Sequence, residues 1–381
     1  MQTRRLAPEA ACRILPGSID PDTMAFEPRF QMFRILAPEY DPALYRAVFR
    51  YAFDDSLSFE EIWEFDPDAY GFDAPVSSES IYPLLAHAAI AIATSYYKLS
   101  PTPRIICEHL VLTDGARQFW KRFYTLGLGE YLYRNEFDPS IIGEFESGTE
   151  APTYSPVILD VPDRALVPMG GGKDSIVSVE AVRALGLNAE IVTIGRAPNP
   201  LHLSVIERTG YAHRFVRRTI DPHLIELSKS GEWPNGHVPV TGMFHFALLV
   251  LAGLTGTKHI VFSNERSAEE GNMYWRGITV NHQYSKSGDF ERAFQIYARE
   301  EIRTNLTAWS LLRGLDEGSI VRKFAILTRY HDVFSSCNRN FHLAGSRLDP
   351  HERWCGICPK CAFVFLMLSA HLPSVEVVRI F

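Results

Sequence analysis

The chain has 381 residues and a formal net charge of −7; 46% of its residues are hydrophobic and 22% are charged. This composition is typical of an ordinary soluble globular protein with one large or two ordinary domains. The acidic balance argues against a general nucleic-acid-binding protein, which usually carries a basic surface, and leaves room for a local basic cleft that binds a phosphorylated small molecule.

We expect neither export nor a membrane partner. The segment Met1–Arg5 is basic, but no long apolar stretch follows it before Pro16, as a secretory signal would require. Three apolar runs, Leu84–Thr94, Phe244–Leu254 and Cys361–Leu368, are too short to span a bilayer, and we predict that all three are buried helices. The expected location is therefore the cytoplasm.

The N-terminal part of the chain carries mixed patterns. Phe30–Leu36 is strand-like, and Asp66–Ser80, which is acidic, aromatic and rich in turn residues, is predicted to be a surface loop. Pro83–Tyr97 indicates a buried helix. Thr113–Leu128 has apolar residues at helical spacing, with Thr113 or Asp114 as its N-cap.

A change in composition at Glu146–Pro162 indicates a linker between two domains. The segment is rich in Ser, Gly, Thr and Pro and shows little periodicity. We therefore predict a separate N-terminal α+β domain over residues 1–155, to which we assign a part in substrate binding. The second domain is predicted to span residues 160–381.

Strand and helix patterns alternate after this linker. The predicted strands are Arg164–Met169, Glu190–Gly195, Arg214–Ile220 and His259–Asn264. The predicted helices are Ser175–Leu185, Leu201–Thr209 and Thr241–Leu254, and the tail from Asp289 onward is predicted to be mainly helical. Alternation at this spacing predicts an α/β domain with a parallel sheet and right-handed crossovers.

The most informative motif is a glycine-rich turn between the first of these strands and the helix that follows. Gly170, Gly171 and Gly172 permit positive φ angles and keep side chains away from a ligand. The backbone N–H groups are then free to surround an anion, and the helix N-terminus adds its positive dipole end. This arrangement predicts a phosphate-binding site.

Three polar residues complete the turn. Lys173 supplies a positive charge and Ser175 a hydroxyl donor, while a carboxylate at Asp174 beside phosphates is best explained by Mg²⁺ binding. The spacing fits neither a Walker A loop nor the Rossmann fingerprint. The alternative is a tight turn that merely starts a helix.

Two polar segments, Ser263–Asn272 and Asn281–Ser287, follow the fourth predicted strand. Ligands of open α/β sheets bind at the carboxyl ends of the strands, so we expect both segments to face the glycine turn. The alternative is a pair of solvated loops with helix caps. The candidate substrate-binding residues are Asn264, Arg266, Glu270, Asn272 and Arg276. The candidate proton-transfer groups are Glu265, Glu270, His282 and Lys286.

Four of the six cysteines, Cys337, Cys355, Cys358 and Cys361, crowd the C-terminal end. In a reducing cytosol such a cluster favours metal ligation over disulfides, and four thiolates suit a tetrahedral zinc site. A zinc ion here would have a structural role, holding the apolar helix Ala362–Leu368 against the preceding loop. The alternative is a set of buried cysteines without metal.

The glycine turn resembles the PP-loop of the N-type ATP pyrophosphatases, usually Ser-Gly-Gly-x-Asp-Ser. Gly171, Gly172, Asp174 and Ser175 match this pattern, and Gly170 stands where the usual Ser would be. In that superfamily the turn holds the pyrophosphate part of ATP while an acceptor oxygen attacks the α-phosphorus to form an adenylate. The resemblance covers roughly residues 160–290 and implies a doubly wound, HUP-like parallel sheet with ATP and Mg²⁺ as cofactors.

Over both halves the chain resembles one PP-loop family, the UDP-N-acetyl-α-D-muramoyl-L-alanyl-L-glutamate epimerases (MurL). The resemblance rests on Gly170–Ser175, Ser263–Asn272, Cys355–Cys361 and Phe119–Asn135. It implies that the terminal L-Glu of UDP-MurNAc-L-Ala-L-Glu becomes D-Glu during peptidoglycan precursor synthesis, with ATP converted to AMP and diphosphate. For this reaction Lys173, Asp174, Glu265, His282 and Lys286 are the candidate catalytic residues.

Three other functions fit parts of the pattern. An adenylating synthetase similar to 7-cyano-7-deazaguanine synthase, which has a similar cysteine arrangement, would pass the activated carbonyl to ammonia or an amine. A redox enzyme of the phosphosulfate reductase kind would bind a nucleotide without cleaving ATP, but it would need a catalytic cysteine. A non-catalytic nucleotide-binding module is the third, and the two polar segments are unusually polar for it.

Overall fold

The computed structural model describes residues 28–65, 78–158, 160, 163–341 and 352–381. The strands of the N-terminal part are β1 (Met32–Ile35), β2 (Glu39–Asp41), β3 (Arg46–Phe53), β4 (Leu57–Phe65), β5 (Arg104–Cys107) and β6 (Glu144–Ser147). Its helices are α1 (Ser78–Ile92), α2 (Thr94–Tyr97), α3 (Asp114–Gly127) and α4 (Gly129–Arg134).

The second part contains seven strands among its described residues: β7 (Arg164–Pro168), β8 (Asn188–Gly195), β9 (His213–Thr219), β10 (His259–Phe262), β11 (Met273–Trp275), β12 (Ile278–Val280) and β13 (Thr307–Ser310). The helices described there are α5 (Lys173–Ala184), α6 (Pro200–Thr209), α7 (Pro222–Ser230), α8 (Val240–Thr255), α9 (Gly288–Tyr297), α10 (Glu317–Ala325), α11 (Asn338–Phe341), α12 (Pro359–Ser369) and α13 (Ser374–Ile380).

Local sequence signals set several helix ends. The Thr113 side chain caps α3 by accepting a hydrogen bond from the Ala116 N–H, as predicted. Helix α6 begins at Pro200 after the N-cap Asn199 and ends at Gly210, whose φ of 71° suits a residue without a Cβ. These ends agree with the predictions because they depend only on neighbouring residues.

Five strands of the second part form a parallel array in the order β13-β10-β7-β8-β9. Along the chain this order is fifth, fourth, first, second, third, so the direction of winding reverses between β7 and β10. Helices lie on both faces: Val167 packs in one core cluster with Ile176 of α5, and Leu166 packs in the other with Phe294 of α9. The predicted α/β class and parallel sheet are confirmed.

The sheet continues into the N-terminal part. Strand β4 pairs antiparallel with β9, and β4, β3, β1, β5 and β6 follow in that order, giving one sheet of 11 strands once β2 is counted beside β3. Helix α1 also packs on α8, since a Cβ built at Gly253 would lie 2.8 Å from Ile81 Cδ1. The two predicted domains therefore share a sheet, and the boundary between them stays a prediction.

Two predictions about the ends of the described segments need correction. The tail after Asp289 contains strand β13, which adds a parallel edge to the sheet between α9 and α10. The predicted loop Asp66–Ser80 ends earlier than expected because α1 begins at Ser78, and residues 66–77 lie outside the described residues. Likewise, β6 occupies the start of the predicted linker.

The three apolar runs differ in burial. The runs in α1 and α8 are buried as predicted. The prediction was wrong for α12, where Phe365 is 43% exposed and Leu366 is 69% exposed, because this helix packs on the domain through one face only. None of the helices described is long and apolar enough to cross a membrane.

Candidate functional site

The glycine turn lies at the carboxyl end of β7, where the strand order reverses toward β10. In open α/β sheets this reversal opens a crevice that serves as the usual ligand site. Gly171 has a φ of 72°, and its carbonyl accepts a hydrogen bond of 3.2 Å from the Ser335 N–H. Gly172 is the N-cap of α5, and a Cβ there would lie 2.8 Å from Ser336 Oγ. The turn is thus tightly seated on residues 335–336.

Gly170 has a different environment from the other two glycines. A Cβ built on it meets nothing within 4 Å, and its φ lies outside the left-handed range. The serine that usually occupies this position in PP-loops would therefore fit without displacing a neighbour.

Lys173 is held as a cation at the start of α5. Its Nζ lies 2.6 Å from Asp174 Oδ1 and 2.5 Å from Glu317 Oε2, and only 4% of its side chain is exposed. Burial alone would lower the pKa of Lys173, but the two carboxylates hold the pKa above its ordinary value. Lys173 therefore stays protonated and is unsuited to accepting a proton.

Charged groups from three other segments of the chain act on the ammonium of Lys286. Burial in the crevice lowers its pKa, the nearby ammonium of Lys360 lowers it further, and the carboxylates of Asp174 and Glu265 oppose both effects. These charges come from the helix after the glycine turn, the two polar segments and the start of α12. Lys286 keeps a solvent-accessible surface, although its ammonium is surrounded by other groups of the protein. The sequence-based expectation that both polar segments face the turn is consistent with this geometry.

The hydrogen bonds of His282 favour one tautomer of its imidazole ring. Asn272 Oδ1 receives hydrogen bonds from the His282 backbone N–H at 3.2 Å and from Nδ1 at 2.8 Å. Because the amide oxygen accepts, Nδ1 carries the proton and Nε2 keeps its lone pair. Nε2 lies 3.3 Å from Gln283 Nε2, an amide that is able to donate to it.

Arg313, just after β13, ties the two polar segments together. It donates to the backbone carbonyl of Glu265 at 3.0 Å and to that of Lys286 at 2.6 Å, and it pairs with Glu291 at 3.1 Å. A planar guanidinium suits several acceptors in fixed directions. Arg313 therefore sets the relative position of the two segments.

Several other predicted site residues have structural partners. Glu265 caps a short 3₁₀ turn by accepting hydrogen bonds from the Ser267 N–H and Oγ, at 2.5 and 2.6 Å. Asn264 Nδ2 donates to Ser310 Oγ at 3.0 Å. Arg266, which is exposed, pairs with Asp316 at 3.3 Å. These contacts match the loop-and-cap alternative for this segment.

The hairpin β11–β12 reaches toward the N-terminal part. Arg276 sits at its tip with a φ of 41° and lies 3.8 Å from Asp138, while Trp275 packs edge-on against Tyr133. Arg276 therefore contacts the N-terminal part of the chain. Glu270, before the hairpin, is exposed.

His237, in the loop between α7 and α8, lies near charged groups from both halves of the chain. Burial lowers the pKa of His237, and the charges of His282, Lys286 and Lys98 lower it further. The carboxylate of Glu130, in the N-terminal part, acts in the opposite direction. Lys98 donates to the Gly236 carbonyl at 3.4 Å, and burial lowers its pKa to about 8. Side chains from both halves thus meet along one wall of the crevice.

Sequence reasoning missed five of the residues described above: Lys98, His237, Arg313, Glu317 and Lys360. None lies in a recognisable motif, and each reaches the crevice through folding of a distant segment. Strand β13, which places Arg313, is only four residues long.

The four C-terminal cysteines converge as predicted. Their ligand atoms all lie within 4.8 Å of one another. Cys337 Sγ is 4.0 Å from Cys358 Sγ, and Cys361 Sγ is 3.8 Å from Cys355 Sγ and 3.4 Å from Cys358 Sγ.

Comparison with protein families matches nearly the whole chain. The MurL N-terminal domain matches residues 24–311, and the MurL C-terminal domain matches residues 333–381. A predicted subunit of a tRNA methyltransferase from Methanocaldococcus jannaschii has a solved structure that covers 43% of this chain and 75% of its own, at 19% identity and a TM-score of 0.27. That likeness is too low to support a functional argument.

Three relatives bear the name UDP-N-acetyl-alpha-D-muramoyl-L-alanyl-L-glutamate epimerase. The one from Xanthomonas oryzae pv. oryzae is 41% identical over 75% of this chain and 62% of its own length. Those from Micromonospora sp. and Salinispora tropica are 36% and 35% identical, each over 93% of this chain and over 78% and 76% of their own lengths. The chain thus spans less than two thirds of the Xanthomonas relative and about three quarters of the other two.

Proposed function

The chain belongs to the MurL family, and from this premise we propose that it converts the terminal L-Glu of UDP-MurNAc-L-Ala-L-Glu to D-Glu in the cytoplasm, as a step of peptidoglycan precursor synthesis. The substrate is a small molecule with several negative charges, and we propose neither a nucleic-acid nor a membrane partner. The names of three relatives support the reaction type. The residues of the crevice support the two-step mechanism that we propose for this reaction.

We propose that the first step activates the glutamate carboxylate with ATP. A carboxylate oxygen attacks the α-phosphorus, the bond to the β-phosphate breaks, and diphosphate leaves. We assign the phosphates to the N–H groups of Gly170–Gly172, which precede helix α5, together with the cation of Lys173. Asp174, whose side chain is 37% exposed, is a suitable ligand for Mg²⁺.

The second step inverts the α-carbon. A free carboxylate makes the neighbouring Cα–H a poor acid, because deprotonation would place a second negative charge beside the first. The acyl adenylate lacks that charge, so a base can remove the proton and an acid can return one to the opposite face. Water then cleaves the anhydride to give AMP and D-Glu.

Lys286 and His282 are the proton-transfer pair that the geometry favours. Lys286 has a pKa lowered mainly by burial, and the contact of His282 Nδ1 with Asn272 directs the His282 lone pair to Nε2, where the Gln283 amide is its neighbour. Glu265 is less suited, because its carboxylate is occupied as the cap for Ser267.

Lys98 and His237 are suited to holding the anionic groups of the substrate. Lys98 donates to the Gly236 carbonyl, next to His237, and the charges of Lys98 and Lys286 both act on His237. An anion bound there would favour their protonated forms, which offsets the cost of burying the charge. This gives the N-terminal part a role in substrate binding.

A single observation carries the proposal: the glycine turn lies at the carboxyl end of β7, where the strand order reverses toward β10, and helix α5 begins directly after it. A nucleotide held there would have its phosphates at the N-terminus of a helix.

The test is isotope exchange in D₂O. The enzyme is incubated with UDP-MurNAc-L-Ala-L-Glu, ATP and Mg²⁺, and deuterium at the glutamate α-carbon is followed together with AMP. We expect both to appear, and both to be lost in Asp174→Asn. Without deuterium and AMP in the wild-type reaction, the proposal fails. AMP together with a new amide in the presence of ammonia would instead support a synthetase.

A further inference from the structure

The sulfur positions of Cys337, Cys355, Cys358 and Cys361 match a single tetrahedral metal ion. A Zn–S bond of about 2.3 Å places tetrahedral sulfurs about 3.8 Å apart. Three of the sulfur pairs are 3.4, 3.8 and 4.0 Å apart, around this value, and all four sulfurs lie within 4.8 Å of one another. An iron–sulfur cluster would place several atoms between the cysteines, and these sulfurs are too close together for that.

The backbone around the cysteines forms a tight knuckle. Gly356 has a φ of 68°, so the chain reverses between Cys355 and Cys358. Cys358 is the N-cap of α12, and its Sγ accepts a hydrogen bond from the Cys361 N–H at 3.4 Å. This bond favours the thiolate form that metal binding requires.

The segment of residues 335–337 also contacts the glycine turn. Ser335 Oγ accepts a hydrogen bond from the Cys337 N–H at 3.2 Å, and the Ser335 N–H donates to the Gly171 carbonyl at 3.2 Å. Ser336 lies against Gly172, 2.8 Å from where a Cβ would be. The cysteine cluster is therefore connected to the phosphate-binding turn through two residues.

We propose that the four cysteines bind one Zn²⁺ and that this ion holds residues 335–337 in the position on which the glycine turn rests. The metal would link Cys337 to the knuckle at Cys355–Cys361. Without the metal, only the hydrogen bonds of Ser335 would hold residues 335–337 against the glycine turn. The site would thus couple metal binding to nucleotide binding, beyond the structural role in pinning α12.

Metal content tests the first half of this proposal. We expect about one zinc per purified chain, and an intense thiolate-to-cobalt absorption band after replacement by Co²⁺. Cys355→Ser should lose the metal, Cys355→His should retain it because imidazole also binds zinc, and Cys107→Ala, which alters a cysteine outside the cluster, should leave it unchanged. Protein that is metal-free, or that holds iron in place of zinc, overturns the assignment.

Nucleotide affinity tests the second half, which rests on the proposed ATP site. Binding of ATP with Mg²⁺ is measured by calorimetry, without dipeptide substrate, before zinc removal, after removal and after zinc is restored. We expect affinity to fall about tenfold and to recover, a size typical of coupling between two sites. Near-ultraviolet circular dichroism checks that the metal-free protein stays folded.

The outcomes separate the two proposals. Unchanged ATP affinity in folded, zinc-free protein overturns the coupling. A protein that unfolds without zinc also overturns it, since the metal would then support the whole domain. A wild-type protein that holds zinc and does not bind ATP contradicts the proposed function while leaving the metal site intact.

Discussion

At the scale of single residues, the crevice contains two lysines in opposite electrostatic settings. Lys173 is buried between two carboxylates, which hold its pKa above the ordinary value, whereas the pKa of Lys286 is lowered by burial and further by the charge of Lys360. The neighbours of each lysine, and not the residue type, decide whether it binds an anion or accepts a proton. This difference leads to a prediction about pH.

Deuterium exchange at the glutamate α-carbon should depend on the ionisation of Lys286. Because the pKa of Lys286 is lowered, its neutral fraction rises with pH and reaches one half below the ordinary lysine value of 10.5. We expect the exchange rate to rise and level off in the same way. Lys286→Arg should lower exchange by about 100-fold or more at every pH, since a guanidinium stays protonated.

ATP affinity serves as the control for this variant, because Lys286→Arg should leave nucleotide binding nearly unchanged. Exchange that keeps its wild-type pH dependence in Lys286→Arg would assign the base to another group, with His282 next in line.

At the scale of elements, the turn between β7 and α5 depends on its glycines for different reasons. Gly171 adopts a positive φ of 72°, and Gly172 packs against Ser336. Gly170 has open space around it. Backbone geometry therefore requires glycine at 171, whereas at 172 a Cβ would displace the Ser336 hydroxyl and at 170 it would meet no neighbour.

Gly170→Ser and Gly171→Ala should therefore differ. Gly171→Ala forces a Cβ into the left-handed region at a cost of about 1–2 kcal/mol and should weaken ATP binding. Gly170→Ser meets no neighbour and adds a hydroxyl donor near the phosphates, so ATP affinity should be equal or greater. Calorimetric titration with ATP and Mg²⁺ measures both, and a large loss in Gly170→Ser would show that the turn binds phosphate in another conformation.

At the scale of the whole molecule, the seam between β4 and β9 joins the two halves. Glu61, whose side chain is fully buried, accepts hydrogen bonds from Arg218 Nε at 2.7 Å, Trp63 Nε1 at 2.6 Å and Tyr96 OH at 2.8 Å. Trp63 and Arg218 are register partners across the seam. The buried pair therefore fixes how β4 meets β9.

Removing Glu61 should destabilise the entire chain. Glu61→Ala leaves the buried Arg218 cation without its carboxylate, which typically costs about 3–5 kcal/mol. Chemical denaturation monitored by tryptophan fluorescence gives the free energy of unfolding. The matched control is Glu146→Ala, which breaks the exposed pair with Arg104 and should have a small effect. Similar losses in both variants would contradict a special role for the seam.

The sequence by itself determined the features that depend on neighbouring residues. Short stretches of sequence encode the glycine turn, the Thr113 cap and the alternation of strands with helices around β7–β10. They do so because capping hydrogen bonds and periodic burial depend on residues close together in the chain. The four cysteines also converge as their spacing predicted. These local parts of the candidate site could be predicted from the sequence for this reason.

The tertiary structure alone decided which distant residues complete the crevice and how the halves join. Arg313, Lys98 and Lys360 reach it from separate segments, and the pairing of β4 with β9 crosses more than 140 positions of the sequence. Such contacts depend on the packing energy of the whole fold, in which every segment competes for the same core. No local pattern encodes them, so they appear only when the chain is folded.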